Sequence, residues 1–311
     1  MDIKGLRFFL GVLRHKSITK AADHLYIAQP ALGLQIRKLE AELGTQLMQR
    51  HSRGITPTEA GLLLAKHAEI ILRQVERARQ DLLDYAKTPR GRVTVGMSPT
   101  ASQLLATGLA RRIRDNYPEI VLNITEGLSE QLMEWVEQER IDIALTYNPT
   151  LASDTVTVER LVEEVLYFIY PVGHSAAGKG PITLTQALRH PMVLPSRPHL
   201  LRIMVDEAAK DIRPDYTIAF EVDSVAMIRD FVRQGFGCTI LPFGAVRSEV
   251  EEGRIAAREM IAPEIARTLY LAFSNVRPPS KAFLAVTELV QGVALDLADK
   301  GTAGWRKPQA A

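Results

Sequence analysis

A run of apolar residues, spaced alternately three and four apart, divides this 311-residue chain into two parts. The run starts near Gly61 and continues for more than three heptads, with mostly polar residues in between. Such a repeat predicts a single long helix whose apolar seam must be buried against another helix. The predicted seam consists of Leu64, Ala68, Ile71, Val75, Ala78, Leu82 and Tyr85.

This helix is predicted to span residues 57–87. Thr56 would cap it, Pro57 would be its first residue, and Glu59 would complete a capping box. A second copy of the chain is the simplest partner for the seam, and the pair would form a two-fold symmetric homodimer. The alternative is that the seam packs against the C-terminal part of its own chain.

The residues before this helix contain three shorter helical patterns. The first has an apolar face that runs from Leu6 to Leu13. Ser17 stands where the second, residues 18–25, needs an N-cap, and the third covers about residues 30–42. A three-residue turn, residues 26–28, follows the second helix, and so short a turn is typical of a helix-turn-helix.

The second helix of such a motif enters the major groove of DNA with its N-terminal residues at the base edges. The amide of Gln29 can bond an adenine edge in bidentate fashion, and Ala31 and Leu34 could contact thymine methyl groups. Gln35 and Arg37 could reach bases or phosphates. A generic three-helix core with a solvated polar face is the alternative interpretation.

The distribution of charge favours the DNA interpretation. Residues 1–90 contain 15 Lys and Arg against 9 Asp and Glu, whereas the rest of the chain contains 23 against 27. The basic N-terminal segment and the mildly acidic remainder indicate that the N-terminal segment meets a polyanion. A chance fluctuation in composition remains the alternative.

The first sixty residues resemble the winged helix-turn-helix of LysR-type transcriptional regulators without a gap. The resemblance implies a DNA-binding domain over 1–60, with the helix-turn-helix at about 18–37 and a wing between Leu47 and Thr56. It also implies that Arg50 and Arg53 reach phosphates or the minor groove. Gly33 and Ala28 depart from the family, which often has Ser there. The matching residues include Phe9, Ser17, Thr19, Ala21, Ala22, Gln29, Pro30, Ala31, Leu32, Gln35, Leu39, Gly44 and Gly61. The predicted DNA-binding residues are Ser17, Thr19, Gln29, Pro30, Ala31, Gly33, Leu34, Gln35, Arg37, Arg50 and Arg53.

From Arg92 onward strands alternate with helices, which predicts an α/β fold with a parallel sheet. Residues 92–300 resemble the effector domain of the same family, a two-lobed fold similar to periplasmic solute-binding proteins. Ile141–Tyr147 and Val232–Pro242 carry the best matches. The resemblance implies one lobe at 92–162 plus 268–300, a second at 163–267, and two crossovers between them. Residues 301–311 are predicted to be a loose tail.

Ligands of open α/β sheets bind at the carboxyl ends of the strands. The segment after the first strand leads directly into a helix, where free backbone N–H groups and the helix dipole favour an anion. Arg197, in an equivalent place, could pair with a carboxylate. The hydroxyls of these segments could instead be plain helix caps. The predicted effector-binding residues are Ser98, Pro99, Thr100, Tyr147, Ser196 and Arg197.

The sequence offers little for catalysis. It lacks the HExxH pattern of a zinc enzyme, and its Gly-rich segments lack the spacing of a phosphate-binding or dinucleotide-binding loop. The single cysteine, Cys238, lies in an apolar strand pattern and allows no intramolecular disulfide, which fits a reducing compartment. Arg7 interrupts the apolar run near the N-terminus, so no signal peptide is expected. We therefore expect a cytoplasmic protein that is not an enzyme and uses no cofactor or metal.

The predicted function is sequence-specific transcriptional regulation, modulated by a small anionic effector bound between the two lobes. The expected partners are double-stranded operator DNA, the effector, RNA polymerase and a second copy of the chain, with a homotetramer as a family expectation. No membrane partner is expected. The alternative is a solute-binding module or ligand sensor without direct gene regulation, since the C-terminal half alone would allow it.

Overall fold

The computed structural model describes residues 1–51, 54–83, 88–149, 154–178, 180–212, 215–276, 278–301 and 304–308. The chain folds into two compact units, Met1–Thr88 and Pro89–Ala311. None of the helices in the described ranges is both long enough and apolar enough to cross a membrane.

The N-terminal unit combines helices with a short two-stranded ribbon. Its elements are α1 (Ile3–His15), α2 (Ile18–His24), α3 (Gln29–Leu43), β1 (Met48–His51), β2 (Gly54–Pro57) and α4 (Glu59–Leu83).

The predicted boundaries of the helix-turn-helix are close to the observed ones. Ser17 is the N-cap of α2, because its Oγ accepts the backbone N–H of Lys20 at 3.3 Å. Helix α3 begins at Gln29, so Pro30 lies in its first turn and not at its first position. Gly44 ends α3 in the left-handed conformation, with φ of 65°.

The core of this unit is formed by the apolar faces predicted from the sequence. The helices pack through small residues on α2, which allow the neighbouring helices to approach closely. Burial at these positions confirms the periodicity argument. The buried residues are Leu6, Phe9, Ala21, Ala22, Leu32, Ile36 and Leu39.

The ribbon is the wing that the family resemblance implied. Strands β1 and β2 pair antiparallel, with Met48 opposite Pro57. Glu40 ties the end of α3 to the wing, because its Oε1 accepts the backbone N–H of Leu47 at 2.8 Å and that of Met48 at 3.3 Å. The position of the wing is therefore coupled to that of α3.

Helix α4 begins at Glu59, so the predicted start at Pro57 with Thr56 as cap is wrong. Both of those residues belong to β2, because the wing needs them to pair with β1. The cap is Thr58, whose Oγ1 accepts the backbone N–H of Gly61 at 3.0 Å and donates to Gln46 O at 2.7 Å.

The predicted seam of α4 is only partly available to a second chain. The prediction that Leu64 and Ala68 contact a second chain is not met by their surroundings. Ala68 is fully buried within the single chain, and Leu64 is partly buried against the core of its own unit. The cause is α1, which lies along the first half of α4. Val75 and Ala78 are exposed, and Ile71 is half-buried. The side chain of Leu82 and all of Tyr85 lie outside the described residues.

The C-terminal unit alternates strands and helices. Its first part contains β3 (Gly91–Met97), α5 (Pro99–Asn116), β4 (Ile120–Glu126), α6 (Ser129–Glu137), β5 (Ile143–Tyr147) and β6 (Val156–Pro171). Its middle part contains β7 (Ile182–Thr183), α7 (Leu184–Ala187), β8 (Met192–Leu194), α8 (Leu200–Ala209), β9 (Ile218–Glu221), α9 (Val225–Arg233), β10 (Thr239–Pro242), α10 (Phe243–Glu251) and β11 (Ile255–Ile261). The last elements are β12 (Ala266–Ser274), α11 (Lys281–Asp299) and β13 (Trp305–Arg306).

The main sheet has the order β4-β3-β5-β12-β6-β11-β7, and β10 and β13 also pair with β6. The expectation of a parallel sheet holds for β3 with its neighbours, but β12 is antiparallel to both β5 and β6. The long β6–β12 pair connects two clusters of buried side chains. One cluster comes from residues 93–162 and 269–305, which we call lobe 1, and the other from residues 166–265, which we call lobe 2.

The expectation of a loose tail after residue 300 is wrong for its described part. Trp305 and Arg306 form β13, which pairs antiparallel with Glu164 and Glu163 of β6. The side chain of Trp305 is buried, because it joins the apolar cluster of lobe 1. A two-residue strand leaves no periodic signal in the sequence, so its docking could not be predicted.

Two glycines in helices should respond oppositely to alanine. A Cβ at Gly61 would lie 2.0 Å from Leu47 O, whereas a Cβ at Gly33 would meet nothing within 4 Å. We expect Gly61→Ala to cost about 1–3 kcal/mol of unfolding free energy through overpacking. Gly33→Ala, the matched control, should add about 0.5–1 kcal/mol through helix propensity. Urea unfolding followed by circular dichroism measures both, and equal effects would contradict this packing.

Candidate functional site

Helix α3 presents an exposed face that carries both polar and apolar side chains. Gln29, Pro30, Ala31 and Arg37 are exposed, and the apolar Leu34 is 59% exposed. The backbone N–H groups of this turn receive no side-chain cap from Ala28. An uncapped helix start with exposed amide and guanidinium groups suits phosphate and base edges.

The other predicted DNA contacts lie around this helix. Thr19 is exposed on α2, while Ser17 and Gln35 are half-buried and the backbone of Gly33 is buried. The backbone of Arg50 lies in β1 of the wing, whereas the side chain of Arg50 and all of Arg53 lie outside the described part of the chain. Tyr26 was not among the predicted contacts. It is 96% exposed in the turn between α2 and α3. The aromatic residue type in that turn was the sequence feature that could have indicated an exposed contact residue.

A cavity of about 690 Å³ lies in the C-terminal unit, between residues of lobe 1 and lobe 2. It is bordered by the carboxyl ends of β3 and β5 and by the first turns of α5, α8 and α9. This is the place where open α/β sheets hold ligands. Its wall includes Ser98, Pro99, Thr100, Tyr147, Ser196 and Arg197, the residues selected from the sequence.

Two buried hydroxyls on this wall, those of Ser98 and Tyr147, form no hydrogen bond of good geometry with the described residues, although Thr100 and Glu164 lie near the Tyr147 hydroxyl. Ser98 precedes α5 but makes no side-chain cap bond, so it is not the plain helix cap considered above. Burial and the charge of Glu164 raise the pKa of Tyr147, which keeps its hydroxyl protonated. Unpaired buried hydroxyls are costly, at about 1–3 kcal/mol each. A ligand that bonds to them would remove this cost.

Arg267 is the main wall residue that the sequence did not suggest. It is 5% exposed, and its Nε donates to Glu164 Oε2 at 2.6 Å. Its Nη2 donates to Thr100 Oγ1 at 2.8 Å, and its guanidinium lies 3.5 Å from the ring centroid of Tyr147. The second segment of the first lobe was predicted to start at residue 268, which placed this arginine just outside it.

Arg197 lies on the cavity wall in an ion pair. Its Nη2 pairs with Asp206 Oδ2 at 2.7 Å, and Asp206 also accepts from Arg202 and Tyr216. The side chain of Arg197 is 68% exposed, so water screens this pair. The sequence did not suggest this partner, and pairing of Arg197 with an effector carboxylate stays a prediction.

The cavity wall also carries acidic residues. Glu126, Glu130 and Asp223 line it and are exposed. The backbone N–H of Ser196 donates to Asp223 Oδ1 at 2.9 Å and lowers the pKa of that carboxyl. The wall arginine Arg229 pairs with Glu249 at 3.0 Å. The cavity therefore offers hydroxyls, the guanidinium of Arg267 and carboxylates on one wall.

Comparison with known proteins identifies the family. The family description "Bacterial regulatory helix-turn-helix protein, lysR family" matches residues 3–62. A second description, "LysR substrate binding domain", matches residues 86–294. The chain belongs to the LysR family of regulators. As a LysR-type regulator it binds operator DNA through its helix-turn-helix, takes a small-molecule effector in its C-terminal domain and assembles into oligomers.

The most similar relatives cover nearly the whole LysR-type chain. The nitrogen assimilation regulatory protein nac of Klebsiella aerogenes is 31% identical, over 93% of this chain and 94% of its own. The DNA-binding transcriptional dual regulator OxyR of Escherichia coli is 25% identical over 94% and 95%. The full-length crystal structure of CbnR with its target DNA shares the fold, with a TM-score of 0.74 at 19% identity, over 94% of this chain and 100% of that one.

The pKa of His199, on the cavity wall, reports the charges around it. Burial lowers this pKa and the charge of Arg267 lowers it further, whereas Asp223 raises it. We therefore expect Arg267→Gln to raise the pKa of His199 and Asp223→Asn to lower it. An NMR pH titration measures this, with the His199 signal assigned from His199→Asn.

Arg254→Gln is the matched control for this titration, because Arg254 is not on the cavity wall. It should leave the pKa of His199 unchanged. Asp223→Asn keeps the test decisive if the arginine variant does not fold, because Asp223 is exposed. If neither Arg267→Gln nor Asp223→Asn changed the pKa of His199, the placement of these two charges near His199 would be contradicted.

Proposed function

We propose that the exposed start of α3 reads the operator. Gln29 contacts a base edge, Arg37 contacts a base or phosphate, and the wing contacts the backbone beside them. The observation that carries this assignment is the uncapped, exposed first turn of α3 on a basic unit. The proposed DNA-binding domain covers residues 1–60, and the α4 seam, in which Val75 and Ala78 are exposed, pairs two copies so that two half-sites are read.

We propose that the cavity between the lobes is the effector site. The unpaired hydroxyls of Ser98 and Tyr147, the start of α5 and Arg267 would receive an anionic group such as a carboxylate. The acidic wall at Asp223 and Glu126 favours a ligand that also carries an ammonium or other hydrogen-bond donors. The proposed effector is thus a small molecule with an anionic group and a cationic or hydrogen-bond-donating group.

The proposed mechanism uses the strands shared by the two lobes. An effector that contacts both lobes favours one lobe angle over another, and this shifts the population of states. The change alters the packing of the oligomer, the spacing of the recognition helices on the operator, and contact with RNA polymerase. It requires the effector to bind the two lobe arrangements with different affinities.

A catalytic role is not supported by the chemistry of the chain. Cys238 is buried in lobe 2, and burial raises the pKa of its thiol to about 12, so it is an inert core residue. It lies 4.0 Å from His174 Nδ1, which is too long for an activated thiolate–histidine pair. We therefore propose that the protein regulates without turning over its effector.

Gln29→Ala and Arg37→Ala should weaken operator binding. A bidentate side-chain contact to a base contributes about 1–3 kcal/mol of discrimination, which corresponds to about 5- to 150-fold in affinity. Fluorescence anisotropy with a duplex selected from a random pool measures the effect at several salt concentrations. Arg7→Ala is the matched control, since Arg7 is an exposed base on α1, and it should bind like the parent. Parent-like affinity in both α3 variants would refute the assignment.

Ser98→Ala should separate ligand binding from stability. Its hydroxyl and that of Thr146 are both buried and unpaired, so Ser98→Ala and Thr146→Val should each raise the melting temperature slightly. Only Ser98 lines the cavity. In a thermal-shift screen of succinate, glutamate and benzoate, a ligand at a hundred times its Kd stabilises the parent by about 2.7 kcal/mol.

Ser98→Ala should weaken that stabilisation, and Thr146→Val should preserve it. A carboxylate that stabilises both variants as much as the parent would place the effector elsewhere.

A further inference from the structure

The C-terminal strand β13 is bound to β6 at the point where the two lobes share strands. Trp305 pairs with Glu164 and Arg306 with Glu163, and the backbone N–H of Val165 donates to Gly304 O at 3.2 Å. These residues lie beyond 86–294, the range that matches the family's substrate-binding domain. We call residues 304–307 the C-terminal clasp.

A chain of hydrogen bonds joins the clasp to the cavity. The indole N–H of Trp305 donates to Glu164 Oε1 at 2.7 Å. The other oxygen of that carboxylate, Oε2, accepts from Arg267 Nε at 2.6 Å. Arg267 in turn donates to Thr100 and lies over Tyr147, which are both on the cavity wall. One carboxylate oxygen of Glu164 thus binds the clasp, and the other binds the cavity arginine.

The clasp is also held by both lobes. Lys307 Nζ pairs with Asp299 Oδ1 of α11 in lobe 1 at 2.8 Å. Arg306 Nη2 pairs with Glu264 Oε1 at 2.7 Å, and Glu264 belongs to the residue range of lobe 2. A Cβ at Gly304 would come within 3.1 Å of Phe243 Cβ at the start of α10. A change in the angle between the lobes would therefore strain the clasp.

The burial of Glu164 makes its two partners interdependent. Its side chain is 0% exposed, so its charge is compensated only by the groups around it. Removing one partner of a buried ion pair leaves a poorly compensated charge, which the structure must relieve by moving or by admitting water. A disturbance at Arg267 should consequently reach Trp305, and a disturbance at Trp305 should reach Arg267.

We propose that the C-terminal clasp positions Arg267 in the effector cavity, with Trp305 as a positioning residue that acts through Glu164. Docking of the clasp and the placement of Arg267 are coupled, so occupancy of the cavity is transmitted to the strands that join the lobes. This inference rests on the proposed effector function of the cavity. It assigns a regulatory part to a segment outside the matched family domain.

The first test follows the clasp from the cavity side. The chain has two tryptophans, so Trp135→Phe leaves Trp305 as the single tryptophan of the full-length protein. In that background Arg267→Met and Thr100→Val remove a cation and an acceptor from the connection. We expect each to raise the acrylamide quenching constant of Trp305, by twofold or more for Arg267→Met. Thr146→Val, a buried threonine off the cavity wall, should leave it unchanged.

Thr100→Val keeps this test decisive if Arg267→Met does not fold. Quenching that is unchanged in the cavity variants would overturn the coupling. An equal rise in Thr146→Val would also overturn it, because the effect would then be general loosening.

The second test runs from the clasp to the cavity. Trp305→Phe keeps a buried ring but removes the N–H that holds Glu164, whereas Trp135→Phe makes the same change elsewhere. We expect Trp305→Phe to raise the pKa of His199, the direction expected for Arg267→Gln, and Trp135→Phe to leave it unchanged. A pKa of His199 that is the same in both variants would overturn the positioning role.

Neither measurement contains a ligand, so their failure can be told apart from failure of the effector site. Unchanged quenching and titration would remove the clasp from the mechanism and leave carboxylate binding at Ser98 to its own test. Loss of carboxylate binding to the parent, with the coupling intact, would instead contradict the effector assignment alone.

Discussion

The buried pair of Glu164 and Arg267 is the interaction on which the C-terminal unit depends. It joins β6 to β12, the two strands that both lobes share, and both side chains are almost fully buried. A charge in that position is tolerated only with complete compensation, so the surrounding strands, the first turn of α5 and β13 are held in one arrangement. The cavity wall, the connection between the lobes and the docked C-terminus consequently share one electrostatic constraint.

Local patterns in the sequence were sufficient for the helix-turn-helix. The 3.6-residue periodicity placed Phe9, Leu32 and Ile36 in the core, and the cap at Ser17 was recognised from its residue type alone. The start of α4 was misplaced because Pro57 satisfies the rules for a helix start equally well in isolation. Only the pairing of β2 with β1, a tertiary contact, decides that this residue belongs to the wing.

The cavity between the lobes, which we propose as the effector site, was predictable in part from local patterns. Ser98 and Tyr147 follow strands, and a general rule places ligands at strand ends, so both could be selected from one segment each. Arg267 could not be selected in this way. Its position on the wall depends on the insertion of β12 between β5 and β6, and both of those strands are far from β12 in the sequence. The ion pair of Arg197 could not be predicted either, because the acid that pairs with it, Asp206, lies on the following helix.

A buried ion pair is a poor way to gain stability, since apolar residues of similar volume often stabilise a protein as well or better. The placement of this one therefore calls for another explanation. It occupies the meeting point of the ligand cavity, the strands shared by the lobes and the docked C-terminus, where a charged network responds to a change in charge that an apolar core would ignore. Because an anionic effector would compete with Glu164 for the guanidinium of Arg267, occupancy would redistribute the charge that also holds Trp305. On the proposed function, the pair is the element that makes the fold sensitive to its ligand.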